Sequence, residues 1–345
     1  MPPDPTIEPP EGSARSAAQS AARVSLRGRL LSTALKLTVK RALARRGISE
    51  LSAMRERLDH LADRLKFPST VVRSTALLGA ISAEWTRVAG VSDPARIVFY
   101  CHGGAYLLGS ARMYRDLTYQ LAKVCAAEVV AIDYRLAPEH PYPAAPDDAL
   151  AAYRALLNTG VQAQRIVVAG DSAGGNLALV LLQRLRAARL PLPAAAVLFS
   201  PWADLTGSGG SIRTRAHLDP MLPAERIGEA AAYYAPGHDL ANSDISPVFG
   251  DFASMPPLLV HVGSREILLD DARRVVAAAR ATKVDVSYRE WTGMPHVFQA
   301  FARFVPEARM ALEEVGAFVI ARVSAARAAA LDAERAANVV RLRSA

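Results

Sequence analysis

Short apolar runs recur along the chain and alternate with longer stretches of helical periodicity. The runs lie at about residues 96–101, 128–134, 165–170, 195–200, 257–263 and 284–290. Each has the length of a buried strand and is bounded by turn-forming residues. Strands that alternate with helices favour parallel pairing with helices on both faces. The pattern therefore predicts one large domain with an α/β fold and a mainly parallel, doubly wound sheet.

The third apolar run leads into Gly-Asp-Ser-Ala-Gly-Gly at residues 170–175. Small residues two positions to either side of Ser172 allow the backbone to turn sharply from a strand into a helix. This turn holds the serine hydroxyl clear of the sheet and directs a helix N-terminus at the same point. Ser172 is therefore the candidate nucleophile, and the N–H of Ala173 is a candidate donor to an oxyanion.

A serine nucleophile needs a general base and donors for the developing oxyanion. His296 lies in the loop after the last predicted strand and is the candidate base. Gly103 and Gly104 follow the first strand, where glycines allow two N–H groups to approach a substrate carbonyl. We therefore expect both N–H groups to line an oxyanion hole.

The third member of the catalytic set is an acid between the serine and the histidine. Glu266 lies just beyond the strand predicted at residues 257–263, where the acid loop of such a fold belongs. Asp270 and Asp271 are the alternatives. They also fit the first turn of the next helix, where acidic side chains complement the helix dipole.

Four blocks of sequence together resemble the hormone-sensitive-lipase-like family (family IV) of bacterial α/β-hydrolase esterases. The blocks are residues 102–106, 134–144, 170–176 and 263–296, the last preceded by residues 200–206. The similarity extends over about residues 50–320 and is strongest to small-ester and ε-lactone hydrolases. It implies an α/β-hydrolase fold with a helical cap.

The resemblance also implies the roles of the site residues. A Ser-His-acid triad, with donors on two loops, would hydrolyse an ester through an acyl-enzyme without a metal or an organic cofactor. Ala105 stands where the family usually has a third glycine, and it is expected to narrow the floor of the acyl pocket. The implied triad is Ser172, Glu266 and His296, and the implied oxyanion donors are Gly103, Gly104 and Ala173.

Substrate selection is expected to depend on a cap formed by about residues 20–90 and 207–247. The sequence indicates no long apolar tunnel, so we expect short to medium acyl esters or lactones as substrates. The candidate pocket walls are Tyr106, Met221, Leu222, Tyr233, Tyr234 and Phe298.

Other functions fit the same chemistry. They are a lipase or acyl hydrolase at a membrane surface, a natural-product deacetylase and a non-catalytic ligand receptor. Relatives of the receptor type usually lack the catalytic histidine, whereas His296 is present. Homodimers are common in the family, so a second copy is a further expected partner.

Positive charge is concentrated near the N-terminus. Residues 12–49 contain nine arginines and lysines and no acid, whereas the whole chain has a net charge of +8. Apolar residues are interleaved in a rough helical pattern, so residues 13–49 are predicted to form a basic amphipathic segment. It could pack on the cap with its arginines in water, lie on an anionic membrane surface or act as a targeting peptide.

The remaining boundaries follow from composition. Residues 1–12 are proline-rich and predicted to be disordered, residues 50–322 form the catalytic domain, and residues 323–345 form an Ala/Arg-rich helix or tail. No nucleic-acid-binding module accompanies the basic segment, so nucleic acid is not an expected partner. We expect a cytoplasmic protein, with peripheral contact at the inner membrane face through residues 12–49 as the alternative.

Overall fold

The computed structural model describes residues 24–45 and 50–343. The disorder predicted for residues 1–12 lies outside these residues, as do residues 13–23 and 46–49 of the basic segment. The strands are β1 (Val71–Leu78), β2 (Ile81–Val88), β3 (Asp93–Cys101), β4 (Ala127–Ile132), β5 (Ile166–Asp171), β6 (Ala195–Phe199), β7 (Leu258–Gly263) and β8 (Val286–Trp291).

Helices cover both faces of the sheet formed by these strands, and an apolar cluster fills each interface. Helices α1 (Leu26–Leu37), α2 (Val39–Arg45) and α3 (Leu51–Asp63) precede the sheet. The later helices are α4 (Arg115–Val124), α5 (Ala144–Asn158), α6 (Ala173–Ala187), α7 (Ser211–Thr214), α8 (Ala224–Tyr234), α9 (Leu269–Ala281) and α10 (Pro306–Arg343). Short 3-10 turns lie at Ala163–Arg165, Pro247–Phe249 and Phe298–Phe301.

The eight strands form one sheet in the order β1-β2-β4-β3-β5-β6-β7-β8. The pairs β1–β2 and β2–β4 are antiparallel, and every other neighbouring pair is parallel. This confirms the predicted mainly parallel, doubly wound sheet. Because β3, β5, β7 and β8 run in the same direction, the loops at their carboxyl ends meet along one edge, where this class of sheet binds its ligands.

The first two strands differ from the expectation. Residues 71–88 fall inside the range predicted for the cap, but they form an antiparallel hairpin at the edge of the sheet. Gly79, with a φ of 64°, lies in its two-residue turn. Leu78 is the one buried residue of β1. An edge hairpin of this kind contains no continuous apolar run, which explains why the apolar pattern did not reveal it.

The two segments predicted to form the cap contact each other. Lys40 in α2 donates from Nζ to the backbone oxygens of Ala216 and Asp219, each at 2.8 Å. At the other end of this helical pair, Ser25 Oγ donates to Glu307 at 2.9 Å. These contacts attach the N-terminal helices to both the insertion after β6 and the body of the domain.

The C-terminal segment continues the last helix. Helix α10 extends to Arg343, so residues 323–343 are helical. Among residues 24–45 and 50–343, no helix combines the length and the apolar character that crossing a bilayer requires.

Candidate active site

Ser172 lies at a sharp turn between β5 and α6. Its backbone has φ 53° and ψ −120°, a conformation that is costly for a residue with a side chain. The turn is held on both sides of the serine: Ser172 N donates to Phe199 O at 2.9 Å, and Trp202 N donates to Ser172 O at 3.0 Å. The predicted elbow is therefore present in the structure, at the carboxyl edge of the sheet.

The glycines around the serine have a steric reason. A Cβ on Gly170 would lie 2.1 Å from Gly174 O, and a Cβ on Gly174 would lie 2.0 Å from Cys101 O. Both distances are far below van der Waals contact and involve backbone atoms that cannot move aside. The turn can therefore form only with glycine at these two positions.

His296 and Glu266 meet in the interior of the same edge. His296 Nδ1 lies 2.7 Å from Glu266 Oε2, and both side chains are buried. The other oxygen of Glu266 accepts a hydrogen bond from Ser200 Oγ at 2.8 Å. Ser200 Oγ in turn accepts from Val297 N at 3.3 Å. The segment that begins at Phe199 therefore contacts Ser172 on one side and the His-Glu pair on the other.

The environment of His296 favours its protonated form. Burial opposes protonation, but the hydrogen bond and the negative charge of Glu266 outweigh it and raise the pKa of His296 above the ordinary value. Asp219 and Asp171 act in the same direction through their charges. An imidazole in this setting can accept a proton and remain stable as the imidazolium.

The two alternative acids have other partners. Asp270 and Asp271 lie in the first turn of α9. Asp270 accepts from Ser211 N at 2.7 Å, and Asp271 accepts from Asp204 N at 2.9 Å. Of the three candidate acids, Glu266 is the one that the structure brings to His296.

The loop after β3 supplies backbone N–H groups, with one difference from the prediction. Gly103 N donates to Asp171 Oδ1 at 2.9 Å, so its single hydrogen is already used. The N–H groups of Gly104 and Ala105 have no acceptor among the described residues. Ala173 N, in the first turn of α6, is also without one there. The N–H of Gly103, an expected donor, is thus occupied, whereas the N–H groups of Gly104, Ala105 and Ala173 are available.

A buried carboxylate behind this loop was missed by the sequence analysis. Asp171 accepts from Tyr100 Oη at 2.6 Å and from Tyr114 Oη at 2.8 Å, in addition to Gly103 N. Burial raises the pKa of Asp171, although the two tyrosine hydroxyls oppose that shift. The one sequence signal for Asp171 was its position directly before the candidate nucleophile. Nothing in the sequence indicates that Tyr114 contacts it.

A cleft begins at Gly104 and Ala105 and continues between the cap helices. It encloses about 130 Å³. Leu222 and Tyr233, two of the six candidate pocket walls, line it. The other lining residues come from α2, α3, α8 and the loop after β3: Leu43, Leu51, Met54, Leu107, Leu108, Pro223, Arg226, Ile227, Glu229 and Ala230.

The other four predicted wall residues do not line this cleft. Tyr106 and Tyr234 are buried, with their rings stacked at 3.7 Å. Phe298 is buried against Trp291, with ring centroids 5.4 Å apart. Met221 is half-buried beside the cleft rather than in its wall. A large aromatic side chain near the site can equally well complete the core.

The order of elements, the elbow and the adjacent histidine-acid pair define an α/β-hydrolase. A profile of the α/β-hydrolase fold matches residues 98–300. An acetyl-hydrolase of Streptomyces hygroscopicus is 44% identical over 242 residues, which are 70% of this chain and 80% of that protein. An esterase of Acinetobacter venetianus is 37% identical over 270 residues, 77% of this chain and 88% of that protein.

Solved structures agree with the sequence relatives. The crystal structure of an esterase from the bacterial hormone-sensitive lipase family superposes with a TM-score of 0.81 at 34% identity, over 88% of this chain and all of that one. The chain belongs to the hormone-sensitive-lipase-like (family IV) esterases of the α/β-hydrolase superfamily. It is accordingly a hydrolase that acts on carboxylic esters.

Proposed function

We propose that the chain hydrolyses short acyl esters with Ser172 as nucleophile, His296 as general base and Glu266 as the acid that orients the base. The observation that carries the proposal is the 2.7 Å contact between His296 Nδ1 and Glu266 Oε2 beside the strained elbow of Ser172. A carboxylate on Nδ1 fixes the tautomer whose Nε2 is free to accept a proton.

The proposed reaction has two halves. In the first, Ser172 Oγ attacks the ester carbonyl as His296 takes its proton, and the alcohol leaves after receiving that proton. In the second, His296 activates a water that releases the acid from the acyl-enzyme. The N–H groups of Gly104, Ala105 and Ala173 would stabilise the two oxyanions, each contributing on the order of 10² to 10³ in rate.

Cleft size favours small acyl groups. An apolar cavity of roughly 150 Å³ is large enough to hold benzene. The cleft here has a volume of about 130 Å³, which matches an acyl chain of a few carbons. Ala105 adds a methyl group at the floor, next to the proposed oxyanion hole.

Acetyl esters of larger alcohols are a second candidate substrate class. The relative with 44% identity is named an acetyl-hydrolase, and the smallest acyl group is the one that the cleft restricts least. Removal of an acetyl group from a natural product would use the same two half-reactions, as would the opening of a lactone.

The test is p-nitrophenol release from acetate, butyrate, octanoate and palmitate esters, with an ε-lactone and an acetylated alcohol assayed in parallel. We expect the acetate and butyrate esters to react fastest and Ser172→Ala to lose essentially all turnover. Ser74→Ala changes an exposed serine on the edge strand and is the matched control. Turnover that survives Ser172→Ala, or that peaks on palmitate, would contradict the proposal.

A further inference from the structure

Helix α1 presents three leucines to solvent. Leu26 is 71% exposed, Leu30 is 59% exposed and Leu37 is 51% exposed. Single exposed leucines are common on protein surfaces, but three on one short helix are not explained by packing.

The three leucines form one stripe. Their spacings of four and eleven residues place them within about 40° of each other around a helix that turns about 100° per residue. The opposite face, which includes Gly28, Ser32 and Leu35, is buried. The helix therefore has one buried face and, opposite to it, an apolar stripe that is mostly exposed.

Basic side chains border this leucine stripe on both sides. At the same angular increment, Arg27 lies on one flank, and Arg29 and Lys36 lie on the other. All three are exposed and take no part in an ion pair within residues 24–45 and 50–343. Residues 12–49 contain no acid that could neutralise them.

The buried face of α1 rests on the loop that carries His296. A Cβ on Gly28 would lie 2.9 Å from Met294 Cε, and one on Gly293 would lie 2.3 Å from a methyl of Val24. The following helix, α2, contributes Leu43 to the cleft. The leucine stripe thus lies on the outer face of a helix that packs on the loop carrying His296, and the next helix lines the cleft.

We propose that the leucine stripe and its basic flanks bind α1 in the plane of an anionic lipid surface. A helix with apolar residues at the centre of its outer face and cations at the margins can bury the former among acyl chains while the latter reach the headgroup phosphates. Docking would bring the cleft entrance to esters dissolved in the membrane, a consequence that rests on the proposed function.

Charge argues for lipid over the other occupants. In a symmetric dimer across this face, the same patch would meet itself and bring Arg27, Arg29 and Lys36 of two copies together. Nucleic acid would neutralise the cations but would leave the three leucines in water. An anionic bilayer satisfies both features of the helix at once.

The experiment measures co-sedimentation of the full chain with phosphatidylcholine vesicles and with vesicles that contain about one third phosphatidylglycerol. We expect binding to the anionic vesicles, weaker binding at high salt and little binding to phosphatidylcholine alone. Leu26→Ser should lower the partition coefficient roughly tenfold, because a serine at this position gains almost nothing from burial among acyl chains. Arg27→Gln should lower it about fivefold on anionic vesicles only.

Leu77→Ser is the matched control, because Leu77 is 69% exposed but lies on the edge strand β1. It should bind like the unmodified chain. Leu26→Ser should keep its rate on soluble p-nitrophenyl acetate, which shows that the fold is intact. Ser172→Ala should still bind vesicles, so a failure of the proposed chemistry would not be read as a failure of docking.

Three outcomes overturn the docking proposal. The first is equal binding of the Leu26→Ser and Leu77→Ser variants to anionic vesicles, and the second is no binding of the unmodified chain. The third is a dimer in sedimentation velocity that Leu26→Ser dissociates, because this would assign the leucine stripe to a second copy.

Discussion

Replacing Glu266 by glutamine gives the sharpest test of the site. The substitution keeps the size of the side chain but removes the negative charge that lies 2.7 Å from His296 Nδ1. Glutamine also offers an amide that can face the imidazole with a donor, which favours the tautomer with its proton on the wrong nitrogen. The variant therefore changes electrostatics and tautomer while leaving the cavity filled.

The size of the effect follows from the geometry. Two unit charges about 4 Å apart attract by roughly 4 kcal/mol at the effective dielectric constant of protein sites. That attraction is gained only when His296 becomes charged in the transition state, and about 1.4 kcal/mol corresponds to tenfold in rate. Loss of the charge alone is therefore expected to lower kcat by a factor of about 10³. Loss of the correct tautomer brings the expected decrease in kcat to about 10⁴, as in other serine-histidine-acid sites.

The assay is steady-state hydrolysis of p-nitrophenyl acetate, with the thermal midpoint measured alongside to show that the variant folds. KM should change little, because Glu266 is buried and does not line the cleft. Asp270→Asn is the matched control: its carboxylate contacts Ser211 N, so kcat should stay within about twofold. If Asp270→Asn abolished turnover while Glu266→Gln retained it, the assignment of the acid would be refuted.

Three further predictions concern the same edge of the sheet. The rate should rise with pH through the raised pKa of His296, because only the neutral imidazole accepts a proton. The same group stabilises the fold fully below its unfolded pKa, and this stabilisation should be lost as the pH rises through the raised folded pKa, which thermal midpoints would show. Ser200→Ala removes a donor to the buried carboxylate of Glu266 and should lower kcat about tenfold at unchanged KM, whereas an unaltered rate would show that this hydrogen bond does not position the acid. Gly174→Ala would place a Cβ 2.0 Å from Cys101 O and should prevent folding of the elbow, measured as loss of soluble, cooperatively melting protein, while Gly228→Ala, on α8 with open space around its Cβ, should melt normally.

Local chemistry explains why so much of the site could be read from the sequence. Ser172 and His296 each lie in a turn or loop directly after a strand. The glycines around the elbow are needed because the backbone contacts there leave no room for a Cβ. Glu266 was preferred over Asp270 because it lies just beyond the end of a buried strand, whereas the two aspartates fit the first turn of a helix, where they complement its dipole. The central strands were equally legible because strands buried on both faces are continuously apolar.

The sequence by itself determined the parallel core and the elbow, since each depends on residues close together in the chain. Tertiary structure alone decided the rest. Whether Gly103 donates to a substrate depends on Asp171, which lies 68 residues away, and Tyr106 became core because Tyr234 stacks on it from a distant helix. The same holds for the leucines of α1. Their spacing in the sequence places them on one side of the helix, but only the packing of Gly28 on Met294 shows that this side is exposed to solvent. Long-range contacts of this kind depend on how separate elements pack together, which local sequence propensity does not specify.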